Sequence, residues 1–111
     1  MAKYEKTIIG QFEEVVNQLQ NDISNSGISM KLVDESNYTF GDTKIAVRVY
    51  DKYFMRNGNR ASLSLTVVGS NSNIFISAIG AGGGSGVFLN FSLGAEDNMV
   101  AIVQNSIEQM K

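Results

Sequence analysis

The chain has 111 residues, a formal net charge of -2, 43% hydrophobic and 18% charged residues, and neither cysteine nor histidine. That length supports one domain with one core, and the missing thiols and imidazoles exclude disulfides, Cys/His metal sites and any mechanism that needs an imidazole base or a thiolate. No stretch approaches the roughly 20 apolar residues of a membrane-spanning helix, and the slight net acidity argues against a chain built mainly to hold nucleic acid.

The amino terminus, Met1 to Lys6, lacks the apolar run of a secretion signal, so a cytoplasmic location is expected. Lys3 to Ile9 alternates, with Tyr4, Lys6 and Ile8 on one side, and predicts a first strand. From Gln11 the apolar residues Phe12, Val15, Val16, Leu19 and Ile23 fall three and four apart, the stripe of a helix buried along one face. Gly10 is the expected N-cap, with Glu13 reaching back to it, and Gly27 the expected stop.

Ile28, Met30 and Leu32 alternate into a second strand that meets a polar break at Asp34 to Asn37. Tyr38 to Phe40, Gly41-Asp42 and Thr43 onward predict a tight hairpin of type II′. On the third strand Thr43, Ile45, Val47 and Val49 share one face and Lys44, Ala46, Arg48 and Tyr50 the other; the first set is the expected core side. Asn57-Gly58 predicts a second hairpin, after which Ala61, Leu63, Leu65 and Val67 alternate with Arg60, Ser62, Ser64 and Thr66 in a fourth strand. Gly69 to Asn73 is a turn cluster, Ile74 to Ile79 a fifth strand, and Val87 to Ser92 a sixth after a glycine-rich loop. Gly94 then caps a final helix with Glu96 and Asp97 in its first turn and Met99, Val100, Val103, Ile107 and Met110 as its buried stripe.

The order is strand, helix, four or five antiparallel strands, helix. It predicts a single α+β domain over residues 1–111, one curved antiparallel sheet with both helices on one face, similar in element order to helix-grip and TATA-binding-protein-like layouts. Three segments carry a closer likeness: Tyr53 with Asn57-Gly58-Asn59-Arg60, then Ala78-Ile79-Gly80-Ala81-Gly82-Gly83-Gly84, then Gly94-Ala95-Glu96. Through them nearly the whole chain resembles an uncharacterised family of small bacterial proteins, the domain of unknown function 6054. The resemblance implies a bacterial protein and brings no activity, cofactor or catalytic residue.

Two features could carry chemistry. Gly82, Gly83 and Gly84 offer consecutive backbone N–H groups that could wrap an anion. Counting from Gly80, however, Ser85 stands where a dinucleotide fingerprint needs its last glycine, and no lysine follows as a phosphate-binding P-loop requires. A structural role, a bulge or a close backbone crossing, is the stronger reading of these glycines. The second feature is a basic run, Lys44, Arg48, Lys52, Arg56 and Arg60, against Asp51 alone. A spacing of four keeps side chains on one strand face about 13 Å apart, with Tyr50 and Phe54 between them. That face is expected to be solvent-exposed and suits an anionic partner such as single-stranded nucleic acid, although charge that merely keeps a sheet face soluble is the commoner cause.

Asp51 continues the inward phase of Ile45, Val47 and Val49 and is expected at the core beside Tyr53. A lone carboxylate without His, Cys or a partner carboxylate gives enzyme activity thin support. Neither Asp34-Glu35 nor Glu96-Asp97 has the spaced oxygen set of a calcium loop, and no metal or cofactor is expected. The function the sequence favours is therefore a non-enzymatic binding or self-association domain, a homo-oligomer being one form, that uses an exposed basic sheet face or the glycine loop. The alternative is a small-molecule carrier with an apolar cavity between sheet and final helix, lined by Phe75, Ile79, Phe88 and Phe91.

Overall fold

The computed structural model describes residues 2–26, 30–54, 59–82 and 89–110, with side chains for 2–26, 30–53, 60–82 and 98–110. Its elements are β1 (Ala2–Ile9), α1 (Phe12–Ser24), β2 (Lys31–Phe40), β3 (Thr43–Phe54), β4 (Asn59–Ser70), β5 (Asn73–Gly82) and α2 (Leu89–Gln109). The five strands form one sheet in the order β1-β5-β4-β3-β2, and every neighbouring pair is antiparallel. The α+β architecture and the strand–helix–strands–helix order are those the alternation predicts.

Strands β2 to β5 form a meander. Phe40 pairs with Thr43 across the two-residue turn Gly41-Asp42, and Gly41 takes the positive φ, 56°, that a type II′ turn needs at its first central position. A second two-residue turn, Asn71-Ser72, joins Ser70 to Asn73. Strand β1 returns beside β5, so the strands flanking α1 in sequence become the two edges of the sheet.

α2 packs on β1, β5 and β4, while α1 packs on α2 and β4. The smallest dimension, 19 Å between Cα extremes, accommodates one sheet and one helix layer, whose axes and strands lie about 10 Å apart. The sheet therefore has one covered and one open face. Alternation decides which side chains are covered: Ala46 and Tyr50 on β3, Ala61, Leu63, Leu65 and Val67 on β4, and Ile74, Ile76 and Ala78 on β5 are buried with Val15, Val16, Leu19 and Ile23 of α1 and Met99, Val100, Val103 and Ile107 of α2. Cross-strand pairs align this set, Ala46 with Val67, Tyr50 with Leu63, and Leu65 with Ala78. Gly69 belongs to the same face, and a Cβ there would stand 2.7 Å from Phe12 Cδ1 and 3.1 Å from Ile74 Cδ1. The missing side chain is what lets the start of α1 approach β4.

Several expectations change. The N-cap of α1 is Gln11, in extended conformation and without a side-chain cap bond, rather than Gly10; Glu13 reaches instead to Lys44. The C-cap is Asn25, and Gly27 lies outside the described residues, as do Ile28 and the Asn57-Gly58 turn. The polar segment Asp34 to Asn37 does not break β2, because a bulge between Leu32 and Asp34 absorbs one residue and pairing resumes. The predicted sixth strand does not form: residues 89–92 belong to α2, with Val87 and Phe88 outside the described residues. Leu89, Leu93, Val100, Val103 and Ile107 already follow a helical spacing, and no proline interrupts it. Gly94 consequently sits inside α2 rather than capping it, and Glu96 and Asp97 fall beyond its first turn.

Candidate functional site

The basic run on β3 was expected on the exposed face, and the phase is the reverse. Arg48 and Tyr50 share the covered face with Ala46, Arg48 being only 7% exposed. The Arg48 guanidinium is absorbed by its surroundings. Nε donates to Gln20 Oε1 on α1 at 2.8 Å, Nη1 donates to the carbonyls of Val47 and Ser36 at 3.0 and 3.3 Å, and Glu35 Oε1 lies 3.4 Å from Nε. Lys44, on the same face nearer the margin, donates to Glu13 Oε2 at 2.7 Å. This ion pair holds the Glu13 carboxyl below its ordinary pKa, the hydrogen bond from Lys44 being the largest cause. Burial pushes the Tyr50 phenol up, Glu35 adding to that effect and Arg48 opposing it.

The remaining basic residues do not join these into a stripe. Lys52 continues the covered phase at the far end of β3 and is half-buried. Arg60 points to the opposite face, where it pairs with Asp51. Arg56 lies outside the described residues. A shallow cleft of about 350 Å³ does open between α1 and β2–β3, lined by Phe12, Glu13, Asn17, Asn37, Lys44 and Arg48 among others. Its two cations already face Glu13 and Glu35, so it carries no net positive charge.

The glycine cradle is only partly described. Gly82 ends β5 opposite Ala61, while Gly83 and Gly84 lie outside the described residues. Asp51 is not a core carboxylate: it does share a face with Ile45, Val47 and Val49, but that face is the open one, and its ion pair with Arg60 satisfies it. Phe75 and Ile79 also point to the open face, each 38% exposed, so they cannot line a cavity between sheet and α2. Phe88 lies outside the described residues, as does the Phe91 side chain.

What the structure brings together is the open face itself. Following the pairing from β2 to β1, one row reads Tyr38, Ile45, Val68, Phe75, Thr7, and the row two residues away reads Ser36, Val47, Thr66, Ser77, Glu5. The next is Asp34, Val49, Ser64, Ile79, Lys3. Across these three rows the central strands β3, β4 and β5 present no charged side chain, and charges appear only on the edge strands. Phe40 and Ile9, 71% and 74% exposed, extend the apolar surface at one end. Open sheet faces that simply meet water usually carry charge across their centre; a charge-free apolar centre with a charged rim is the make-up of a contact surface. Sequence reasoning missed this face because it assigned Ile45, Val47 and Val49 to the core.

The model of the family described as "Family of unknown function (DUF6054)" matches residues 1–111. The chain belongs to this family. No curated protein matches the sequence. Among solved structures the DUF6054 chain is similar to the crystal structure of TTHA0849 from Thermus thermophilus, at 10% identity, covering 97% of this chain and 94% of that one, with a TM-score of 0.36. Among the described residues no helix is long and apolar enough to cross a membrane.

Proposed function

We propose that this DUF6054 protein is a non-enzymatic association domain whose contact surface is the open face of its sheet. The observation that carries the reading is the charge-free centre of that face, with Ile45, Val68 and Phe75 adjacent in one row. Of the cations that could have favoured an anionic partner, Lys44 and Arg48 are engaged by Glu13, Gln20 and Glu35 on the other side, and Arg60 is engaged by Asp51. The carrier alternative finds less support, because the described part of the sheet–α2 layer is filled by Leu63, Leu65, Ile74, Ile76, Met99, Val103 and Ile107, none of them accessible. A bacterial, cytoplasmic setting belongs to the same proposal and rests on the sequence alone.

Radical footprinting tests the reading without knowledge of the partner. Tyr38, Phe40, Phe75 and Ile79 are labelled in dilute purified protein and again in intact expressing cells. Protection of these side chains in cells, with Tyr4 at the margin of the covered face labelled equally in both, is the expected result. Equal labelling of the whole face in both settings would sink the proposal.

A further inference from the structure

We infer that the occupant of the open face is a second copy of this chain, packed sheet to sheet about a two-fold axis that runs along β4. The inference rests on the reading of the open face as a contact surface and names the partner. A face-to-face dimer of this kind has its axis in the plane of the interface, and each residue's neighbour is then fixed by the strand pairing. With the axis along β4, every row lies on its own copy with β3 over the partner strand β5 and β2 over β1.

The rows then match. Ile45 falls over the partner's Phe75, Val49 over the partner's Ile79, and Val68 over the partner's Val68 on the axis. At the rim Asp34 falls over the partner's Lys3, and symmetry repeats that pair on the other side. Lys3 is free to respond, since its contact with Glu5 is a loose 3.9 Å between exposed groups. The other in-plane axis, across the strands at the level of Val47, also stacks apolar rows. It brings Glu5 onto the partner's Glu5, however, and Asp34 onto the partner's Tyr38. The axis along β4 also sets Arg60 over the partner's Arg60, but each is neutralised by its own Asp51. Glu5 has only a loose 3.9 Å contact with Lys3 against its charge, so like charges at the rim weigh more against the crosswise axis.

Size is consistent with a stable pair. Five strands about 4.8 Å apart and five rows about 7 Å apart span about 600 Å² before side-chain relief, close to the roughly 800 Å² per partner of a standard interface. Edge-to-edge association is opposed at β2, where the bulge after Leu32 and the charged Lys31, Asp34 and Glu35 interrupt a regular edge.

Sedimentation equilibrium on the full chain over the micromolar range tests the inference. The wild type is expected to be a dimer. Val68→Glu, which sets two carboxylates on the axis, is expected to be a monomer with unchanged circular dichroism. Lys3→Glu and Asp34→Lys should each raise the dissociation constant about tenfold, and the double variant K3E/D34K should restore it to within about threefold. A wild type that stays monomeric at millimolar concentration overturns the second copy as occupant, while protection of the face in cells would still stand. A dimer lost in folded Val68→Glu but indifferent to the charge exchange overturns the axis along β4. A dimer that folded Val68→Glu leaves intact overturns both this inference and the reading of the face; should that variant misfold, Ile79→Lys, at a more exposed position, replaces it.

Discussion

Arg48 on β3 donates from Nε to Gln20 Oε1 on α1 at 2.8 Å, so a cation that alternation alone would put in water ties the sheet to the helix layer. Its aliphatic stem covers apolar surface while the guanidinium donates to three acceptors and lies 3.4 Å from the Glu35 carboxylate. Arg48→Ala should therefore cost about 2–3 kcal/mol, since the packing of the stem is lost and Gln20 and the Ser36 carbonyl lose their donor. Lys44→Ala, which removes an exposed ion pair, should cost less than about 1 kcal/mol. Urea unfolding of the two variants compares them directly. Equal small losses would mean that the Arg48 face is solvated after all.

Gly69 offers a test of how α1 is seated. Its absent Cβ would meet Phe12 Cδ1 at 2.7 Å, Phe12 Cβ at 3.1 Å and Ile74 Cδ1 at 3.1 Å, and Ile74 is fully buried and cannot retreat. Gly69→Ala is expected to destabilise by about 1–3 kcal/mol through overpacking. In a Phe12→Ala background the same change should cost less, because the obstructing ring is gone. Additive losses would show that Phe12 and Gly69 do not meet.

Two titrations bracket the stability profile. The Glu13 pKa is lowered by its hydrogen bond from Lys44, so the contribution of that pair is present above the ordinary pKa of a free glutamate and is lost as pH falls through the depressed folded value. The Tyr50 pKa is raised by burial, so its contribution is complete below the ordinary tyrosine value and is lost as pH climbs toward the raised one. Glu13→Gln should reduce the difference in melting temperature between neutral and acidic pH. Absorbance at alkaline pH should show one tyrosine ionising later than the others, and Tyr50→Phe should remove that late phase; a late phase that survives in Tyr50→Phe assigns it elsewhere.

Most of the fold was legible because its periodicities are clean. The three-and-four spacing of Phe12 to Ile23 gives α1, and alternation with two-residue turns gives the meander. The face of β3 was misread because Ile45, Val47 and Val49 outrank Ala46, Arg48 and Tyr50 in hydrophobicity, and alternation separates two faces without saying which is buried. The deciding signal lay on β4. A two-residue turn at Asn57-Gly58 would already set even-numbered residues of β3 opposite odd-numbered residues of β4, the same parity as the observed Arg48–Leu65 pair. Leu63, Leu65 and Val67 have no apolar rivals among Ser62, Ser64 and Thr66, so they carry Arg48 and Tyr50 inward with them. The Val87–Ser92 segment was misread for a different reason: a short apolar run does not distinguish strand from helix, and only its continuity with the stripe of α2 does.

The consecutive valines 67 and 68 separate the roles of the two faces within one peptide unit. Val67 is 1% exposed beneath the helices, whereas Val68 faces outward between Ile45 and Phe75. Threonine keeps the shape of valine and its strand preference but adds a hydroxyl, so the exchange measures the polarity each site tolerates. Val67→Thr should cost about 1–3 kcal/mol in urea unfolding, because the hydroxyl is buried in a layer of aliphatic side chains. Val68→Thr, measured at high dilution, should stay within about 0.5 kcal/mol of the wild type and yet weaken association at higher concentration. Matching losses at high dilution would place both valines in the monomer's core and leave no open face to receive a second copy.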